Sequence, residues 1–311
     1  MGGQAKVYFI LGCTASGKGS LGRELARRLG GRIVSVDSMK IYRRMDIGTA
    51  KPAAELRRHI PHYCIDIAEP SDSFSVARYV EHADAAIAET RAAGAIPLAV
   101  GGTSLYLKAM TEGLFEGPAA DPDYRLHLKQ RAEAEGLAVL HAELAGVDAQ
   151  AAARIHPNDE KRIVRAMEVH RATGRPISEL QSQWDADSRR YDCVLIGVRR
   201  EREDLHGRIN LRARRMVEAG LRDEVAALLA EPGGLADQAA QAVGYAEMID
   251  HLRGKCSLGE ALERIKINTR RLAKKQRTWH RRWTQVQWID CAADASTEQI
   301  ADEITGRMKL G

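Results

Sequence analysis

Five apolar residues, Val7-Tyr8-Phe9-Ile10-Leu11, lead directly into Gly12-Cys13-Thr14-Ala15-Ser16-Gly17-Lys18. An amphipathic pattern carrying Leu21, Leu25, Ala26 and Leu29 follows. Strand, glycine-bounded turn, lysine and helix in that order are the layout of a phosphate-binding P-loop on an α/β sheet. Gly12 and Gly17 let the backbone turn tightly and point successive N–H groups inward. Those amides, the positive end of the helix and the Lys18 ammonium then face one anion. A chance glycine turn before a helix is the competing explanation, and it leaves the flanking strand and helix as coincidence.

One position breaks the pattern. The residue after the lysine should carry a hydroxyl that binds Mg²⁺. Here it is Gly19, with Ser20 next. One residue further along a helix points about 100° away, so Ser20 is not a simple substitute. The phosphate cradle is therefore better supported than a metal site.

The 311 residues suit one large domain or two of ordinary size, and 44% hydrophobic residues allow a sizeable core. The net charge of +5 is mildly basic and says little until the charges are located. Five cysteines are scattered without a CxxC pair, which argues against a zinc site or a disulfide framework. No apolar run approaches membrane-spanning length and no leader pattern is visible, so the expectation is a cytoplasmic protein with no membrane partner.

The next β-branched run, residues 32–36, reads as a second strand ending in Asp37-Ser38. Ligands of open α/β sheets sit at the carboxyl ends of strands, which would place Asp37 near the P-loop; equally, Asp37 could cap the next helix. Residues 46–52, Asp46-Ile47-Gly48-Thr49-Ala50-Lys51-Pro52, read as a loop that either lines a site or simply crosses the surface. A long helix over 75–93 and a third strand over 95–100 follow. That strand ends in Gly101-Gly102-Thr103, where a nucleotide hydrolase usually carries a Mg²⁺-holding aspartate. The glycines permit close backbone approach and Thr103 offers a hydrogen bond, although an ordinary turn into the helix of 105–110 would look the same.

From Gly117-Pro118 the texture changes. No strand pattern is visible over 121–180; helices read at 121–135, 137–144, 149–155, 159–173 and 177–183, separated by Gly136, Gly146, Pro157 and Gly174. The expected organisation is a core over 1–117, a helical insertion over 118–187 and the rest of the core over 188–311. Strand texture returns at Cys193 to Val198. In the next helix Arg208 and Arg212 share a face, as a phosphate-binding pair or as a salt-bridged surface pair. Residues 264–283 hold nine Lys/Arg and no acid, with Ile265, Leu272, Trp279 and Trp283 along one edge. A basic helix with an apolar back suits a phosphate backbone, and the two tryptophans read as core anchors more than stacking platforms. Residues 286–290 read as a last strand.

These stretches together resemble the tRNA dimethylallyltransferases, also called tRNA isopentenylpyrophosphate transferases. The resemblance spans nearly the whole chain. Its carriers are the P-loop, Val36-Asp37-Ser38, Ile41-Tyr42, residues 45–52 and Gly101-Gly102-Thr103 with Leu105-Tyr106. It continues in residues 155–159, Arg162 with Arg165-Ala166 and Glu168-Val169, Val243-Gly244-Tyr245, and Thr269-Arg270 with Ala273-Lys274, Gln276 and Thr278-Trp279.

The resemblance implies a P-loop-type parallel α/β fold with an all-helical insertion that grips the anticodon stem-loop. It implies transfer of a dimethylallyl group from dimethylallyl diphosphate to N6 of the adenosine 3′ of the anticodon, in tRNAs reading codons that begin with U. Asp37, Thr103 and Arg212 match catalytic positions, and Gly12, Cys13, Thr14, Ala15, Ser16, Gly17, Lys18 and Gly19 the diphosphate cradle. Positions matching tRNA contacts are Asp37, Ser38, Met39, Lys40, Thr103, Arg125, Lys161, Arg162, Ile163, Val164, Arg165, Gln241, Gly244 and Tyr245. Mg²⁺ is the implied cofactor, with Ser20 the remaining candidate ligand, and the expected state is a monomer. Three rivals are weighed: a prenyltransferase of free adenine nucleotides, a small-molecule kinase, and a non-catalytic tRNA-binding protein.

Overall fold

A computed structural model describes residues 6–113, 117–181 and 190–308. The chain divides into two compact units, Met1–Thr111 with Arg190–Gly311, and Glu112–Arg189. The sequence alone placed these boundaries at 118 and 187.

The first unit opens with β1 (Val7–Leu11), α1 (Lys18–Leu29), β2 (Gly31–Val36), α2 (Ala54–His59), β3 (His62–Tyr63), α3 (Val76–Ala92), β4 (Ile96–Gly101) and α4 (Ser104–Glu112). The helical unit holds α5 (Pro122–Glu135), α6 (Leu137–Val147), α7 (Ala149–Arg154), α8 (Glu160–Thr173) and α9 (Ile177–Gln181). The first unit resumes with β5 (Cys193–Arg200), α10 (Arg202–Glu218), α11 (Leu221–Ala230), α12 (Asp237–Ala240) and α13 (Tyr245–Leu252). It closes with α14 (Leu258–His280), β6 (Gln287–Cys291) and α15 (Thr297–Met308). Residues 182–183, expected to end the last helix of the insertion, lie outside the described residues.

The six strands form one parallel sheet in the order β3-β2-β4-β1-β5-β6. A parallel sheet needs both faces covered, which is why β1, β2 and β4 read as nearly unbroken apolar runs. On one face Ile10, Ile33, Leu98 and Ile196 pack with Leu21 and Leu25 of α1 and Ile300 and Ile304 of α15. β3 escaped the sequence reading because two residues cannot display a period; it is defined only by pairing Ile33 with His62 and Val34 with Tyr63.

The register positions the site. Leu11 of β1 and Val36 of β2 both pair with Gly101 of β4. Three strands therefore end level, and the chain leaves them at Gly12, Asp37 and Gly102. That common carboxyl edge is where open α/β sheets bind ligands.

The helical unit has its own core of Leu128, Leu140, Leu144, Ile163 and Val169. Its helices start where side chains cap them: Asp121 accepts from Tyr124 N, Asp148 from Ala151 N and Asp159 from Arg162 N. In α14 a capping box of Ser257 and Glu260 sets the start, ahead of the basic run. Ala261, Ile265, Ala273 and His280 form its buried stripe. Trp279 and Trp283 are only half-buried, which corrects their assignment as core anchors. They flank that stripe, Trp279 beneath the Arg282 guanidinium at 4.7 Å and Trp283 against His280 at 5.7 Å. Among the described residues no helix is long and apolar enough to cross a membrane.

Candidate active site

The loop between β1 and α1 turns through left-handed backbone at Ala15 (φ 62°) and Gly17 (φ 96°). Gly17 is the N-cap of α1 and supplies no side chain to its first N–H groups. Those donors face a cleft of about 1000 Å³, within the range of small-molecule sites. Lys18 folds back so that Nζ donates to Cys13 O at 3.1 Å. Burial lowers its ammonium to about 8, against the pull of the Asp37 carboxylate. Cys13 is a buried thiol whose pKa burial raises.

Asp37 leaves the end of β2 in a turn, not at the start of a helix as one reading allowed. Its Oδ1 accepts from Met39 N at 3.0 Å and Lys40 N at 3.4 Å. These bonds orient the carboxylate, and Oδ2 takes no hydrogen bond from the described residues. Thr103 Oγ1 accepts from Ser38 N at 3.0 Å, tying the end of β4 to the same turn. Gly101 and Gly102 are required sterically: a Cβ at Gly101 would lie 2.0 Å from Val36 O, and one at Gly102 2.7 Å from Gly12 O.

Arginines of β5 and α10 close the loop from the other side. Arg200 Nε donates to Ser16 O at 2.9 Å, Arg208 Nε to Ala15 O at 3.0 Å and Arg212 Nη1 to Thr14 Oγ1 at 3.3 Å. Arg208 and Arg212 pair with no acid among the described residues, so the surface-pair alternative fails. Burial lowers the Arg212 guanidinium and Asp37 opposes that shift. Lys18, Lys40, Arg208 and Arg212 thus line a cleft in which Asp37 offsets only part of their charge. Such a cleft attracts an anion.

Three residues that complete this site carried no assigned role in the sequence. Gln276 of α14 accepts from Thr14 N at 2.8 Å and donates to Gly102 O at 2.9 Å, bridging two loops. Glu224 of α11 accepts from the N–H groups of Asp46, Ile47 and Gly48 at 3.0, 2.7 and 3.2 Å, and so shapes the 46–52 loop. Arg23 of α1 lines the cleft beside Gly19. Only the motif around Gln276 carried a signal; Glu224 and Arg23 look like ordinary surface helix charges.

Comparisons with known proteins agree on one lineage. A family profile described as IPP transferase matches residues 40–283. The chain belongs to the IPP transferase family. It is 45% identical over 287 residues to the tRNA dimethylallyltransferase of Geobacter metallireducens, covering 92% of this chain and 93% of that protein. It is 43% identical over 311 residues to that of Geobacillus kaustophilus, covering 98% of each. The crystal structure of a tRNA isopentenylpyrophosphate transferase from Bacillus halodurans superposes with a TM-score of 0.71 at 41% identity, covering 98% of this chain and 97% of that one. A eukaryotic dimethylallyltransferase described as acting on tRNA superposes with a TM-score of 0.82 at 25% identity, covering 97% and 77%.

The P-loop of this IPP transferase does not offer the expected metal ligand. Gly19 has no donor, and Ser20 Oγ already accepts from Arg23 Nη2 at 3.2 Å, which sets a cation beside it. Among the described residues no cluster of three or more His, Cys, Asp or Glu is arranged to hold a metal. The donors at the start of α1 therefore do not fit a Mg²⁺ held at position 19.

Several positions matched to tRNA contacts turn inward. Ile163 and Val164 are 0% and 8% exposed and belong to the core of the helical unit. Tyr245 is fully buried and its hydroxyl donates to Glu224 at 2.6 Å. Gly244 (φ 100°) is buried as the N-cap of α13, and its N–H goes to Glu247 Oε2 at 2.7 Å. The side chains of Ile163 and Val164 are thus packed inside the helical unit, while Tyr245 borders the cleft from beneath. Arg125 and Arg165 both bind the buried carboxylate of Glu168, with Arg125 Nε and Nη2 at 2.8 Å. Lys161, Arg162 and Gln241 are exposed, and Ser38, Met39 and Lys40 line the cleft.

Proposed function

We propose that this IPP transferase moves a dimethylallyl group from dimethylallyl diphosphate to N6 of the adenosine 3′ of the anticodon, in tRNAs reading codons that begin with U. The observation that carries this reading is the pairing at one sheet edge of a cation-rich cradle with one oriented carboxylate, Asp37. The cradle suits a leaving diphosphate; the carboxylate suits an amine.

In the reaction the N6 lone pair forms a bond to the terminal allylic carbon. The C–O bond to the diphosphate breaks, and the diphosphate leaves with that electron pair. Lys18, Arg212 and the P-loop amides stabilise the charge where it develops. Adenine N6 is a weak nucleophile, so much of the rate comes from holding it in line. Asp37 Oδ2 accepts the N6 proton, while the Met39 and Lys40 amides fix the other oxygen. Leu211, Met216 and Leu272 give the cleft an apolar wall for the five-carbon group. The adenine must leave its stack to reach this edge.

The tRNA anticodon stem-loop is the proposed partner of the helical unit and of the basic face of α14. The protein is read as a cytoplasmic monomer. Gln241 and Ala246 flank Val243-Gly244-Tyr245 without arginines, so the salt dependence of tRNA binding should be shallow. A kinase would need a firm metal site, which Gly19, without a side-chain ligand, and Ser20, bonded to Arg23, do not provide.

Single-turnover transfer of labelled dimethylallyl diphosphate to an unmodified anticodon stem-loop tests the activity. Transfer to the stem-loop and not to AMP is expected, falling about 10²- to 10⁴-fold in Asp37→Ala. Binding without transfer would leave a non-catalytic tRNA-binding protein. Transfer to AMP alone would make the enzyme a nucleotide prenyltransferase.

A further inference from the structure

Gly19 leaves a gap where a P-loop normally holds a metal, and one side chain leans over it. Helical side chains tilt toward the N-terminus, so a residue covers the turn before its own Cα. Arg23 lies four residues after Gly19 on the same face of α1. Its Nη1 is 3.7 Å from the point a Cβ at residue 19 would occupy, the nearest group to that point. The guanidinium therefore borders the space that a hydroxyl at 19 would enter.

Arg23 has no acidic partner among the described residues. Its hydrogen bond is to Ser20 Oγ at 3.2 Å, and burial alone pulls its pKa down. A cation held half out of water without a counter-ion is costly unless an anion arrives. Across the cleft, Lys40 on the Asp37 turn is close enough to feel the Arg23 charge. A guanidinium presents a planar fork that matches phosphate oxygens in pairs and cannot be deprotonated at ordinary pH.

We propose that Arg23 supplies, as a fixed part of the protein, the positive charge that a metal held at position 19 would bring to the diphosphate. Dimethylallyl diphosphate then binds without a divalent ion. This rests on the prenyl-transfer reading for its substrate but not for its test, because inorganic pyrophosphate reports on the cradle alone.

Titration calorimetry with inorganic pyrophosphate, in excess EDTA and again in Mg²⁺, tests it. The wild-type protein should bind pyrophosphate in EDTA within about tenfold of its affinity in Mg²⁺. Arg23→Gln keeps a polar side chain and loses the charge; its affinity in EDTA should fall about ten- to hundred-fold, as for one charged hydrogen-bonding group. The loss should be smaller in Mg²⁺, and Arg23→Lys should recover part of the affinity. An unchanged thermal midpoint would assign the loss to the site and not to the fold. A wild type that binds pyrophosphate only in Mg²⁺ overturns the proposal without any variant. So does Arg23→Gln binding as tightly as wild type in EDTA. Absence of transfer to the stem-loop, with metal-free pyrophosphate binding still dependent on Arg23, would count against the activity and uphold this role.

Discussion

Gln276 Nε2 donates to the carbonyl of Gly102 at 2.9 Å, reaching from α14 to the end of β4. The other end of the same amide accepts from Thr14 N at 2.8 Å. One side chain thus sets the spacing between the P-loop and the Gly101-Gly102-Thr103 turn, and it needs one donor and one acceptor to do so. Gln276→Glu keeps the acceptor and replaces the donor with an oxygen facing the Gly102 carbonyl. It also brings a negative charge to a cleft built for a diphosphate. Pyrophosphate affinity should drop about tenfold or more in Gln276→Glu, and less in Gln276→Ala, which removes the bridge without adding charge. Equal losses in both variants would mean that the bridge alone matters.

Lys18 makes the cradle pH-dependent. Its ammonium titrates at about 8, because burial outweighs the attraction of Asp37 and because Lys40 and Arg212 repel it. Below that pH it is a cation and binds the diphosphate; above it the charge is lost. Pyrophosphate affinity should therefore weaken as pH rises through about 8, and Lys18→Met should abolish that step. Stability moves the other way. The unfolded chain holds the Lys18 proton up to about 10.5 and the folded chain releases it at about 8. Between those values the unfolded state binds more protons, so folding stability from this residue rises with pH. Urea unfolding of wild type and Lys18→Met across this window would separate the two effects.

The core of this site was legible because its chemistry is local. A P-loop is one continuous stretch, and strand texture followed by Asp37 or by Gly101-Gly102-Thr103 announces a carboxyl edge. The partners that hold those stretches are not local. Gln276 sits 262 residues from Thr14, and Glu224 sits 178 residues from the Asp46 amide that it accepts from. Nothing about an isolated Gln or Glu on a helix says which loop it will meet. Tyr245 misled for a related reason. Its ring lies within 2.4 Å of where a Cβ at Gly48 would be, so it packs under the 46–52 loop at the edge of the cleft, with its hydroxyl held by Glu224. Ile163 and Val164 stood between basic residues in a motif, but both pack into the core of the helical unit while Lys161 and Arg162 stay exposed.

Gly101 and Gly19 differ in what an added side chain would meet. At Gly101 an added Cβ would meet the Val36 backbone at 2.0 and 2.5 Å, and backbone cannot step aside within a parallel sheet. Gly101→Ala should fail to fold, or lose several kcal/mol by the cost of overpacking a core. Gly19 meets only Arg23 Nη1, at 3.7 Å. In the first turn of α1, Gly19→Ala should raise stability by up to about 1 kcal/mol, the helix-propensity gain over glycine. Thermal melts of both variants check the pair. A destabilised Gly19→Ala would show that the space beside Arg23 is tighter than the backbone implies.

Glu168 makes the helical unit sensitive to acid. The carboxylate is 1% exposed and accepts from Asp121 N at 2.7 Å, from Arg125 and from Arg165. Burial by itself would raise its pKa, but the hydrogen bonds from Arg125, the Asp121 amide and Arg165 prevail and hold it at about 2. The unfolded value is near 4.5, so the folded pKa is depressed. Its stabilisation is complete above 4.5 and disappears as pH falls through about 2. Glu168→Gln keeps the shape and one acceptor while leaving two guanidiniums without their anion. At neutral pH it should cost about 2–3 kcal/mol, at the low end for a broken buried pair because Arg125 is half exposed. The acid limb of a urea-unfolding series should also flatten in this variant. If Glu168→Gln lost stability on acidification as steeply as wild type, another carboxylate would have to carry the acid response.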